Sequence, residues 1–151
     1  MNHDLMMDAA LAIIKKFEGL RLKAYLCPAG VWTIGYGSTK INNRDVIESD
    51  TCTAEEAEEM LIETVSRLKF SVRRIVKVEL KQHEYDALIS LAYNIGIGNF
   101  QNSTLVSLLN ARAPENIVAL EFPRWNKSKG KVLAGLITRR KEEMDLFLGR
   151  R

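Results

Sequence analysis

Three residues in the first quarter of the chain have types and spacing that suggest chemistry. They are Glu18, Cys27 and Thr33, all within FEGLRLKAYLCPAGVWTIGYGST, Phe17 to Thr39. Glu18 closes an apolar run just before glycine-rich, strand-like sequence, so its carboxyl is expected at the seam between two lobes, where a cleft would form. A carboxyl partly desolvated in a cleft keeps its proton to higher pH and can act as a general acid near neutrality. Taken alone, a glutamate at a helix end is more commonly a solvated surface residue. The neighbours change that weighting. Cys27 lies nine residues after Glu18 and Thr33 six after Cys27, with Pro28 and Gly30 supplying a turn that returns a strand towards Glu18. An acid, a polar group across a hairpin and a hydroxyl that holds water are the parts of a glycosidase that activates water. Only one of the three is a carboxylate.

The elements around these residues follow from hydrophobic period. Ala9, Ile13 and Phe17, with Ala12 and Leu20 near the same face, predict a first helix over Asp8 to Glu18, stopped by Gly19. From Arg21 to about Ile47 the period shortens, and LKAYL, VWTIGYGS and DVIE read as small hairpins, the only β-rich stretch expected. TAEE at Thr53 is a capping box, and the apolar stripe from Met60 to Val76 predicts a long helix joining two lobes. Tyr85, Leu88, Ile89, Ala92 and Tyr93 predict a helix over 81–94. Shorter helices are expected at Ser103 to Ala111 and after Pro114, and a last helix should turn Ile137, Met144, Phe147 and Leu148 inward. The fold class is α+β, mainly α-helical, as one 151-residue domain. Its β-rich lobe is expected over about 20–52, the linking helix over about 54–76, and a helical lobe over 77–151 plus the first helix.

Composition narrows the partners. A chain of 151 residues that is 46% hydrophobic can bury a core without metal or disulfide. With 22 basic against 19 acidic residues the net charge is only +3 and interspersed, so nucleic acid is not expected. The cysteines, Cys27 and Cys52, form no metal-binding spacing, and no cofactor is implied. The apolar run after MNHDLMMD is interrupted by Lys15 and Lys16, which argues against a signal peptide or membrane span, hence synthesis in the cytoplasm and no stable membrane insertion.

FEGLRLKAY, GVWTIGYGST, QHEYDALISLAYNIGIGNF, STLVSLLN, EFPRWNKSKGKVLAGL and RRKEEMDLFL, in that order, resemble segments of the phage-type lysozymes, or endolysins. That family's pattern is a glutamate, an aspartate nine residues on and a threonine six further. The resemblance implies a two-lobed lysozyme-like fold and hydrolysis of the β-1,4 bond between N-acetylmuramic acid and N-acetylglucosamine in peptidoglycan. It makes Glu18 the general acid, Thr33 a residue that positions water, and Cys27 the occupant of the aspartate position. It gives Arg139, with Arg140 as fallback, a supporting place opposite Glu18. Tyr93, Asn94, Ser103 and Arg124 fall near the sugar. It further implies a monomer made in the host cytoplasm, acting on the periplasmic wall after a holin opens the way.

Cys27 leaves three readings open: a thiolate base or nucleophile, a neutral group lining the water site, or a redox-dependent form in which it pairs with Cys52 or another thiol. A catalytically weak or redox-gated wall-binding homologue is the alternative function. A cysteine hydrolase would need a histidine beside Cys27, and the only two are His3 and His83.

Overall fold

A computed structural model describes residues 7–150; His3 and Asp4 lie outside them. The described residues form seven α-helices, one short 3-10 helix (Phe122–Arg124) and three two-stranded antiparallel sheets, the α+β, mainly helical class read from the sequence. Their contacts group into two units: Ile14–Thr64, and the remainder up to Ile13 and from Val65 onward. The division falls inside helices α1 (Asp8–Glu18) and α2 (Ala54–Ile75).

Helix α1 has the expected bounds, but its buried stripe is rotated from the expected one. Ala10, Leu11, Ile13 and Ile14 are buried, while Ala12 and Leu20 are exposed. Gly19 ends the helix at φ 73°, its N–H bonding to Lys15 O at 3.1 Å, a left-handed cap that glycine adopts without strain.

In the Ile14–Thr64 unit, β1 (Arg21–Leu26) pairs with β2 (Trp32–Gly35). Arg21 faces Gly35 and Tyr25 faces Thr33, so β1 carries two more residues than β2 between these pairs. The bulged backbone is satisfied elsewhere: Ala24 N–H bonds to Asp50 O at 3.0 Å, and Cys52 N–H to Leu22 O at 2.9 Å. A turn closes between Ile34 and Ser38, with Gly35 and Gly37 at φ 67° and 95°. Gly35 is required twice over, because an added Cβ would also lie 3.3 Å from Ala57 Cβ. A short hairpin of β3 (Lys40–Ile41) and β4 (Arg44–Asp45) completes the sheet elements. Ile34, Val46, Cys52 and Ala57 form the core, flanked by Ala24, Trp32, Tyr36, Ile41 and Met60. Helix α2 starts with the predicted capping box: Thr53 N–H bonds to Glu56 Oε1 at 2.8 Å and Glu56 N–H to Thr53 Oγ1 at 3.0 Å.

In the other unit, α3 (Gln82–Ile95) is buried on every side from Glu84 to Ala92, the pattern of a central helix. It is followed by α4 (Ile97–Gln101), α5 (Thr104–Asn110) and α6 (Glu115–Ala119), then α7 (Ala134–Phe147). Phe122 and Phe147 meet at 5.5 Å between ring centroids. The sequence reading missed α4 and a hairpin of β5 (Lys127–Ser128) and β6 (Lys131–Val132), whose turn places Lys129 and Gly130 at φ 51° and 79°. Two left-handed residues suit a two-residue hairpin, and Lys-Gly is a weaker sequence signal for it than Asn-Gly. Ile137, expected inward, is 50% exposed, whereas Phe147 is buried as expected.

Candidate active site

Strand alternation sorts the β1–β2 hairpin into two faces. Ala24, Trp32 and Ile34 turn into the core, which leaves Tyr25, Cys27 and Thr33 on the opposite face. Tyr25 and Thr33 are direct cross-strand partners, and Cys27 follows two residues after Tyr25. Glu18 and Cys27 both act electrostatically on the Tyr25 hydroxyl, whose pKa is raised by burial first and then by Glu18, with the Arg21 guanidinium, 4.5 Å over the ring, opposing.

Cys27 begins the connecting turn. Its N–H bonds to Val31 O at 3.0 Å and its carbonyl accepts Gly30 N–H at 2.8 Å, with Gly30 at φ 79°. This folding aims backbone amides at the sulfur. The thiol pKa is lowered, chiefly by the Val31 and Ala29 N–H groups and then by Thr33 and Gly30, with desolvation opposing. Donors directed at the sulfur stabilise its charged form. Thr33 is buried and its Oγ1 donates to Val31 O at 2.9 Å. A hydroxyl has one proton and two lone pairs, so Thr33 can hold Val31 O or the thiolate and still accept from a water.

Cys52 is a core residue with a thiol pKa raised by burial, and both thiols are free. Its backbone pairs with Leu22, and Cys27 stands five residues further along the strand. An extended strand carries that separation to roughly 15 Å, far beyond the Cα spacing a disulfide spans. Pairing of Cys27 with Cys52 therefore does not fit this hairpin.

The other unit holds a buried charge network on α7. Arg139 and Arg140 are 2% and 0% exposed and converge on Glu143, also 0% exposed. Glu143 Oε2 accepts from Ser90 Oγ at 2.5 Å, Arg140 Nη2 at 3.1 Å and Arg139 Nε at 3.2 Å, and Glu143 Oε1 lies 2.7 Å from Arg140 Nε. Burial pushes the Glu143 carboxyl up, against the pull of Arg140, Arg139 and Ser90. Arg140 also bonds Asn94 Oδ1 at 2.9 Å and Trp125 O at 3.2 Å, and Arg139 bonds Ser90 O at 3.2 Å.

The phage lysozyme family model matches residues 15–143. The chain belongs to the phage lysozyme family. The endolysin of Acyrthosiphon pisum secondary endosymbiont phage 1 is 45% identical over 145 residues, covering 93% of this chain and 95% of that protein. The Bacillus phage PZA endolysin is 44% identical over 142 residues, or 93% of this chain, yet the match spans only 54% of that protein's length. Among solved structures, an endolysin from Escherichia coli O157:H7 phage FAHEc1 has a TM-score of 0.84 at 40% identity, covering 93% of this chain and 90% of that one. The muramidase domain of SpmX from Asticaccaulis excentricus gives 0.83 at 36%, covering 93% and 95%. These relatives place the chain among the lysozyme-type glycoside hydrolases.

Within this phage lysozyme family chain, the hairpin brings Cys27 and Thr33 together as their spacing suggested. Tyr93 is half-buried and Asn94 is exposed beside Arg140. Ser103 is buried as the cap of α5, donating to Phe100 O at 2.6 Å and accepting from Val106 N–H at 3.2 Å, so little hydroxyl capacity is left for a sugar. Arg124 is exposed and paired with Glu121 at 2.9 Å. Trp125 is half-buried. His83 bonds through Nδ1 to Leu146 O at 2.9 Å, an attachment to α7 in its own unit. The sequence reading missed Tyr25, Ser90 and Glu143. Glu143 stands at i+4 and i+3 from Arg139 and Arg140, a spacing that signals helical ion pairs. Among the described residues no helix is long and apolar enough to cross a membrane.

Proposed function

We propose that this chain is an endolysin that hydrolyses the β-1,4 bond between N-acetylmuramic acid and N-acetylglucosamine in bacterial peptidoglycan. The carrying observation is the match to the phage lysozyme family over residues 15–143, and the turn that lowers the Cys27 thiol pKa beside Thr33 supports the residue roles. In this reading Glu18 gives its proton to the glycosidic oxygen as the C1–O bond breaks. A water held by Thr33 Oγ1 adds to C1 and its proton passes to the Cys27 thiolate. The products are two free sugar ends, a Glu18 carboxylate and a neutral Cys27 thiol; proton exchange with solvent restores the starting state.

Tyr93, Asn94 and Arg124 are proposed sugar contacts, since amide, guanidinium and aromatic groups match sugar hydroxyls and ring faces. Arg139 has a proposed supporting role. Passage to the wall through a holin is likewise a proposal, and relatives named SAR-endolysins, at 30–33% identity, point to a holin-independent route elsewhere in the family.

Purified peptidoglycan treated with the protein should yield fragments ending in reducing N-acetylmuramic acid. Release of peptides without new reducing ends would overturn the reading. A redox-sensitive form is favoured by one observation: Cys27 is partly exposed with a lowered pKa, the character of an oxidisable thiol. The same assay after mild peroxide, with and without reductant, should show reversible loss; unchanged activity would count against redox control.

A further inference from the structure

The second half of α2 has a surface that the hydrolytic reading does not use. Val65, Val72 and Ile75 are buried, while Arg67, Phe70, Arg73 and Arg74 are exposed. Phe70 is 83% exposed, more than any other large apolar residue described. Phe70, Arg73 and Arg74 stand at i, i+3 and i+4 on α2, so a phenyl ring shares one helix face with two cations, and Lys77 follows two residues beyond the helix end. Between 64 and 78 there is no acidic residue and five basic ones, more than the net charge of +3 for the whole chain. Arg67 has Glu63 four residues before it; no acidic residue lies within one turn of Phe70, Arg73 or Arg74. Two of the cations are held in place: Arg73 lies 4.5 Å over the Tyr85 ring, and Lys77 Nζ donates to Arg74 O at 2.9 Å.

A largely hydrated phenyl ring flanked by arginines matches one environment better than others. At an anionic bilayer the ring enters the boundary between headgroups and acyl chains while arginine and lysine meet the phosphates. A soluble polyanion would engage the cations and leave the ring in water. We propose that this face of α2 is a peripheral docking surface for an anionic phospholipid bilayer. One ring and a few charges give weak, reversible adsorption, not insertion.

The test is flotation of the protein with vesicles of phosphatidylglycerol mixed with phosphatidylcholine, against phosphatidylcholine alone. The protein should bind the first in a salt-sensitive manner and not the second. Phe70→Ser should weaken binding about tenfold, the scale of a lost buried phenyl. Arg74→Gln should weaken it about fivefold, the scale of one charge near an anionic surface. Both variants should melt at the wild-type temperature, since both side chains point into solvent. Equal binding to neutral vesicles would overturn the proposal. So would wild-type vesicle binding by Phe70→Ser, or binding to dextran sulfate that matches vesicle binding and ignores Phe70, which would mark a general polyanion surface. Vesicle binding needs no hydrolysis, so failure of this proposal and failure of the muramidase reading are separate results.

Discussion

Cys27 N–H bonds to Val31 O at 3.0 Å, and the Val31 amide is in turn the largest influence holding the Cys27 thiol pKa down, so one turn both closes the hairpin and polarises the thiol. The sequence motif therefore supplies a fold and a charge environment with the same five residues. A thiolate at position 27 needs that environment, because an unassisted thiol is mostly neutral at pH 7.

The first prediction concerns that thiol. The rate of Cys27 alkylation against pH, in a Cys52→Ala background, should titrate below the ordinary cysteine range. Thr33→Val removes one hydrogen-bond donor while keeping the side chain's shape, and should move the titration upwards. A thiol that titrates at or above the ordinary value would remove the basis for a thiolate.

Replacing the sulfur by a carboxylate gives a second outcome. Cys27→Asp should retain hydrolysis, and the acidic limb of its pH profile should move to lower pH. The second group must be ionised for it to take a proton from water, and a carboxylate ionises well below a thiol. An unmoved acidic limb would mean that position 27 does not titrate in the reaction.

Much of this was legible before any coordinates. The bounds of α1, the Thr53 capping box and the Ser103 start of α5 each come from local rules, periodicity and capping, that operate within a few residues. The hairpin turn at Pro28 and Gly30 that sets Cys27 against Thr33 was readable for the same reason. What escaped depends on distant partners. Tyr25 matters because the β1 bulge sets its register against Thr33, and Ser90 because it meets Glu143 across 53 positions of sequence. Ile137 was misplaced because α7 buries charge, through Arg139, Arg140 and Glu143, where a hydrophobic stripe was assumed.

That charge network yields a stability prediction. Glu143→Gln leaves Arg139 and Arg140 buried without a counter-charge and should destabilise the protein by about 3–5 kcal/mol, the usual cost of breaking a buried pair. Thermal melts at neutral pH measure it. A change below about 1 kcal/mol would mean that water reaches the site.

Asp86 on α3 gives a pH prediction. It is 4% exposed, accepts from Gln82 Nε2 at 2.9 Å, and its pKa is raised to about 6, by burial first and also by Asp8, against Gln82, Lys69 and His83. Its folded value lies above the unfolded one of 3.8. The folded state therefore holds the proton more tightly, and the contribution is most favourable below the unfolded value and is lost as pH rises through about 6. Asp86→Asn keeps an acceptor for Gln82 and carries no charge. It should stabilise the protein at pH 7 by about 2–3 kcal/mol, with the gain vanishing below about pH 4. Denaturant midpoints at the two pH values report this; an equal shift at both would contradict it.

Hydrolysis by Glu18 tests the whole account most directly. New reducing ends released from purified peptidoglycan, measured for the wild type and Glu18→Gln at equal folded concentration, give the comparison. Loss of a general acid lowers the rate by about a hundredfold or more, and that drop is the predicted result. Reducing ends released by Glu18→Gln at the wild-type rate would contradict it.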